Sequence, residues 1–131
     1  MKSHTLFFGL FFLIIIGKVR AAETDQGRQV YIQYCASCHG KDARGNGPVS
    51  PYLKIKAPDL TLLTKKNQGI YPMSKVMSAI DGSRAVRAHG DREMPVWGEI
   101  FRKESESAKY TELTSLLKIK TIAEYIATIQ R

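Results

Sequence analysis

Both cysteines of this 131-residue chain sit in one pentapeptide, Cys35-Ala-Ser-Cys38-His39, and that spacing limits what the rest can become. Two thiols three positions apart can close a disulfide, hold a metal or anchor a larger group. Each choice demands company elsewhere in the chain. A thioredoxin-like pair opens a helix after a strand, in a βαβ setting, whereas this pair closes a helical stretch. Tetrahedral zinc takes four ligands. Beyond residue 21 the thiols and imidazoles are only Cys35, Cys38, His39 and His89, and the adjacent Cys38 and His39 make poor tetrahedral partners. A plain disulfide would suit an exported chain. It explains neither His39 nor a second motif, Met94-Pro95-Val96-Trp97-Gly98.

Cys-x-x-Cys-His is instead the attachment signature for c-type haem. Each thiol can then bond one vinyl group of the same porphyrin, and the following His39 reaches the iron from one side. The second motif answers the remaining need. An iron held by one histidine keeps an open face, and a thioether sulfur closes it. His/Met ligation raises the reduction potential and is the pattern of electron-transfer cytochromes. Methionine is more often core filler, which suits Met77 and Met73. Met94 differs, because it falls in a long polar loop and precedes a proline that stiffens the backbone. Met94 is therefore the expected sixth ligand, ahead of Met73 and His89.

The first residues read as a targeting segment. Met1-Lys2 gives a positive start, residues 6–16 are apolar apart from Gly9, and Val19-Arg20-Ala21 forms a small-x-small cleavage site. The apolar run is shorter than the ~20 residues a bilayer crossing needs. The expected division is a signal peptide over 1–21 and one domain over 22–131, with an uncleaved anchor as the alternative. A domain of that size buries a modest core and gains from a cofactor.

Of the net charge of +8, Lys2, Lys18 and Arg20 contribute three, so +5 remains after cleavage. Residues 41–103 hold twelve Lys and Arg against six acids, and the flanks nearly balance. That excess fits a solvated surface or docking of an acidic partner. No nucleic-acid motif accompanies it, so nucleic acid is not an expected partner.

Hydrophobic spacing is helical throughout, with no alternating strand pattern, so the expected class is all-α. The first helix starts near Thr24 or Asp25 and puts Gly27, Val30, Tyr31, Tyr34 and Cys38 on one face. A short second helix after Pro72 carries Val76, Met77 and Ile80 and stops at Asp81-Gly82. An extra turn starts at Asp59. The last helix covers about residues 110–130, with Leu116, Ile119, Ile122, Ala123, Ile126 and Ile129 as its apolar stripe. Two long connections, 40–58 and 82–109, remain. Loops of that length are uncommon unless they have a function, and here they can wrap a flat cofactor.

Taken together, the motifs resemble class I cytochrome c of the small bacterial monohaem type. The likeness rests on Gly27 and Tyr31 before the attachment signature and Gly40, then Pro58-Asp59-Leu60, Ile80-Asp81-Gly82, Met94-Pro95-x-Trp97-Gly98, and Tyr125 in the last helix. It implies the cytochrome c fold, three to four helices with long loops around one covalent haem c. It also implies that the first and last helices cross at Gly27 against Tyr125. A proline carbonyl after the histidine is implied to accept the His39 ring N–H, with Pro48 the best match and Pro51 the rival. Trp97 is a candidate for a haem propionate or for packing, and Leu60 and Tyr52 are candidate haem contacts. The stretch 101–109 departs from compact members of the family and leaves the start of the last helix open.

The function expected from these readings is one-electron transfer by a non-enzymatic carrier in the periplasm. It would serve a respiratory chain or an exported dehydrogenase. A redox protein with an acidic docking face is the expected partner, the chain itself is expected to be a monomer, and membrane contact is expected only through partner complexes or an uncleaved signal. The alternative class is a small haem peroxidase or gas binder, which needs an openable iron position with polar groups nearby. His89 is the one residue that favours it.

Overall fold

Helix α1, residues 25–34, runs directly into the attachment motif. After a one-residue break at Cys35 the chain continues as α2, Ala36–His39. The Cys35 N–H donates to the Tyr31 carbonyl at 2.8 Å, and the His39 N–H to the Cys35 carbonyl at 2.9 Å. The two pieces therefore behave as one interrupted helix. Tyr31 is fully buried, and its hydroxyl donates to the Gly40 carbonyl at 2.8 Å, closing the far end of α2. Burial first, and the Cys35 charge next, hold that phenol well above its ordinary pKa. These details come from a computed structural model, which describes residues 25–83 and 94–131.

The connection after α2 turns back on the helix it leaves. Gly45 N–H donates to the His39 carbonyl, Gly47 N–H to Cys38 and Val49 N–H to Ser37. A 3-10 turn, Ser50–Tyr52, follows. Another 3-10 turn, Leu60–Leu62, leads into α3, Leu63–Lys66. Asp59 caps that turn, accepting from Thr61 N–H at 2.9 Å and from the Thr61 hydroxyl at 2.6 Å. The extra turn expected at Asp59 is thus present.

Helix α4, Met73–Asp81, buries Val76 and Ile80 and stops at Gly82, where φ is +82°. Helix α6, Thr111–Thr128, buries Ile119, Ile122, Ala123 and Ile126. Leu116, expected on that stripe, is half exposed, and Ser115 takes the inward place with its hydroxyl on the Gly98 carbonyl at 3.3 Å. The reason is a helix that the sequence reading assigned to a loop. Helix α5, Trp97–Glu104, packs on both α4 and α6 and covers the first turns of α6. Trp97, Ile100 and Phe101 follow i, i+3, i+4 spacing, the mark of a helix face. Phe101 is one of the three largest fully buried side chains, with Tyr31 and Ile122.

Helices α1 and α6 cross at Gly27. A Cβ there would lie 2.8 Å from the Thr121 carbonyl oxygen and 2.9 Å from the Tyr125 Cβ, so only glycine lets the backbones meet. The Tyr31 and Tyr125 rings pack 5.3 Å apart beside the crossing. The expected crossing of first and last helices is present. The fold is all-α: among the described residues there is no strand. No described helix is long and apolar enough to cross a membrane. The expected signal segment 1–21 and His89 lie outside the described residues, as do Arg84, Arg87 and Arg92 of the basic middle stretch.

Candidate haem site

One cleft gathers the residues that the two motifs supply. Cys35, Cys38 and His39 reach it from the end of the interrupted helix, and Met94, Pro95 and Trp97 from the start of α5. Leu53, Ile55, Ala57 and Pro58 line it from the loop between the 3-10 turns, and Tyr34 and Ser37 complete the lining.

The helix interruption explains how three reactive groups share one cleft. Cys35 and Cys38 are a helical turn apart, and His39 follows directly, so one short segment presents all three. His39 is 8% exposed and Cys35 7%. Burial pushes the Cys35 thiol up to about 12, with the charge of Cys38 adding to the effect. Cys35 and Cys38 are free, not bridged to one another. Among the described residues, no group of three or more His, Cys, Asp or Glu could hold a metal ion unaided. A porphyrin-bound iron would ask for fewer protein donors, and His39 and Met94 both line the cleft.

His39 Nδ1 faces the Pro58 carbonyl oxygen at 3.4 Å. That corrects the expectation placed on Pro48, with Pro51 as rival. Pro48 is exposed in the turn that folds back over α2, and Pro51 opens the Ser50–Tyr52 turn. Beyond both, Pro58 brings its carbonyl to the His39 ring. Gly45, at φ +80°, makes that return possible, because a Cβ on it would sit 2.1 Å from the Ala57 carbonyl oxygen. The carbonyl that meets the ring is therefore set by tertiary return, not by distance along the chain.

Two further candidates lie off the cleft. Leu60 packs against the central core, and Tyr52 is 86% exposed. Trp97 lies in the cleft, and its observed contacts are aromatic: Tyr34 edge-on at 5.5 Å and Phe101 stacked at 5.8 Å. Met73 and Met77 pack against the core rather than the cleft. Leu53, Ile55 and Ala57 were not singled out from sequence. Their signal was an alternation with Lys54 and Lys56, which puts apolar side chains on one side of an extended segment and charges on the other.

The cleft fits a haem on its own chemistry, with two thiols, an imidazole and a thioether converging in a largely apolar lining. No curated protein and no solved structure matches the chain significantly. A family model described as cytochrome c oxidase, cbb3-type, subunit III, matches residues 22–108, a stretch that contains both motifs. Since that match covers well over half of the chain, the protein belongs to the cytochrome c family that this model represents, and its cofactor is covalently bound haem c.

Proposed function

We propose that this protein is a one-electron carrier with a single haem c, ligated by His39 and Met94, working in the periplasm. When bound, the haem supplies an iron that alternates between ferric and ferrous states and so stores one electron. Cys35 and Cys38 would hold the group by two thioether links. His39 would donate Nε2 to the iron, leaving the ring proton on Nδ1, where the Pro58 carbonyl accepts it. Met94 would offer its sulfur as the second protein ligand, which would leave no coordination position for a substrate. The apolar side chains of Leu53, Ile55, Pro95 and Trp97 would keep water from the metal.

The observation that carries this reading is the convergence of Cys35, Cys38, His39 and Met94 on one cleft. A single Cys-x-x-Cys-His motif supports one haem per chain. Export is supported by the leading segment and by a family match that begins at residue 22. The description of the matched family names an oxidase subunit, which supports service within a respiratory chain, while an exported dehydrogenase remains the other candidate for the electron source.

The sixth ligand decides between carrier and catalyst. The oxidised protein should show the weak sulfur-to-iron charge-transfer band, and Met94→Ala should abolish it. The variant should also lose potential and gain carbon monoxide reactivity, since the thioether favours ferrous iron and its removal opens the metal. Met73→Ala and His89→Ala should keep the band. A parent protein that lacks the band and binds carbon monoxide readily would instead be a gas binder or peroxidase.

A further inference from the structure

The carbonyl that meets His39 belongs to a segment pinned by the last two residues of the chain. Arg131 Nη2 contacts Asp59 Oδ2 at 2.9 Å, and its Nε donates to the Thr61 hydroxyl at 2.8 Å. The Arg131 backbone N–H donates to the Thr61 carbonyl at 3.0 Å. Gln130 bridges the same segment, donating from Nε2 to the Leu60 carbonyl at 2.8 Å and accepting from the Thr64 N–H at 2.9 Å. Its Nε2 also reaches the Ile126 carbonyl at 2.8 Å, so the amide is tied to α6 as well. Leu60 N–H donates to Ala43 at 2.8 Å, which anchors the segment from the other side. Pro58 immediately precedes this bonded run.

The separation between His39 Nδ1 and the Pro58 oxygen, 3.4 Å, lies at the outer edge of hydrogen-bond range. Movement of a few tenths of an ångström decides whether the bond is kept or lost. The strength of that bond sets how much electron density the imidazole gives the iron. A stronger acceptor favours the ferric state, and a weaker one the ferrous state.

We propose that Gln130 and Arg131 are positioning residues for the iron's histidine ligand: by fixing residues 59–64 they hold the Pro58 carbonyl on His39 Nδ1 and so set the redox equilibrium. Neither residue reaches the cleft. They act through the backbone of the loop, and the residues that follow α6 become part of the tuning of the metal. This inference rests on haem attachment and His39 ligation, and is independent of Met94.

Gln130→Ala tests it without altering charge. In the haem-loaded full-length protein, solvent exchange of the His39 ring N–H, followed by NMR in the ferrous state, should quicken several-fold. The ferric–ferrous equilibrium should shift severalfold toward ferrous, and the charge-transfer band should keep the parent's intensity. Arg131→Gln separates positioning from simple charge. Loss of a nearby positive charge alone would shift the equilibrium toward ferric, whereas release of the carbonyl shifts it toward ferrous. Arg131→Lys keeps the charge, loses the fork geometry, and should move in the same direction as Gln130→Ala. Parent-like ring N–H exchange and potential in Gln130→Ala and Arg131→Lys would overturn the proposal, as would a ferric shift in Arg131→Gln with Gln130→Ala unchanged. A parent protein without covalent haem would overturn the haem reading itself.

Discussion

At Gly27 a single missing methyl group decides whether two helices can touch. The atoms that an added Cβ would strike, the Thr121 carbonyl oxygen and the Tyr125 Cβ, are backbone or close to it and cannot swing aside. Overpacking of this kind costs about 1–3 kcal/mol, while alanine's better helix propensity returns at most ~1 kcal/mol. Gly27→Ala should therefore lower stability by about 1–2 kcal/mol, read as a lower midpoint in denaturant with an unchanged slope. Cys35 and Cys38 are single residues of a different kind, whose proposed role is covalent. Replacing both by alanine, in a host with haem-maturation machinery, should give a chain without haem after denaturing, reducing electrophoresis, whereas the parent keeps its haem stain. A parent chain that runs colourless there would end the attachment reading.

Helix α5 shows how an element can be held by polar contacts at its end. Glu104 accepts from Lys118 Nζ at 2.9 Å and from the Tyr34 hydroxyl at 2.9 Å, joining α5 to α6 and α1. The Lys118 ammonium also lies over the Phe101 ring at 4.8 Å and the Tyr34 ring at 5.2 Å. The pair is partly solvated, so Glu104→Gln should cost about 0.5–1 kcal/mol. The bonded Lys118 first, then the Tyr34 hydroxyl, hold the Glu104 carboxyl below its ordinary pKa. The Thr61 hydroxyl, with Thr61 N–H and Arg131, does the same for Asp59. Both carboxyls bind a proton less readily folded than unfolded, so the stability they add is complete above their unfolded pKa values. It is lost as pH falls through their lowered folded values. Unfolding midpoints measured from neutral pH downward should drop below the usual carboxylate range, and Glu104→Gln should flatten that dependence. An equally steep fall in the variant would assign the acid sensitivity to other groups.

On the scale of the molecule, positive charge lies beside the cleft. Lys54 and Lys56 alternate with the cleft-lining Leu53, Ile55 and Ala57 and are exposed, as are Lys41 and Arg44 on the preceding turn. Positive charge at the mouth of a redox site speeds encounter with an acidic partner, and salt screens the attraction within about 8–10 Å. We propose an acidic docking partner on that ground. Its bimolecular electron-transfer rate should fall several-fold between low and physiological ionic strength, and a Lys54→Gln/Lys56→Gln double variant should weaken the salt dependence. Rates indifferent to salt would leave the lysines as ordinary solvated surface.

What the sequence determines by itself is local. Cys35, Cys38 and His39 follow one another within a single helical turn, so their shared direction is a matter of spacing. The same holds for the Val76 and Ile80 face of α4, whereas the α1–α6 crossing at Gly27 was implied by the family resemblance and is made by the tertiary approach to Thr121 and Tyr125. Helix α5 was legible in principle from Trp97, Ile100 and Phe101, but eight residues beginning beside a proline motif carry little periodicity to read. The partner of the His39 ring could not be read at all. Pro48, Pro51 and Pro58 are alike in sequence, and each offers a carbonyl within 19 residues of His39. Only the folded chain separates them. Backbone hydrogen bonds turn the first two back over α2, the close approach at Gly45 admits Ala57, and Gln130 and Arg131 hold the segment that follows Pro58. Covalent order places the ligands, and long-range hydrogen bonds decide what stands behind them.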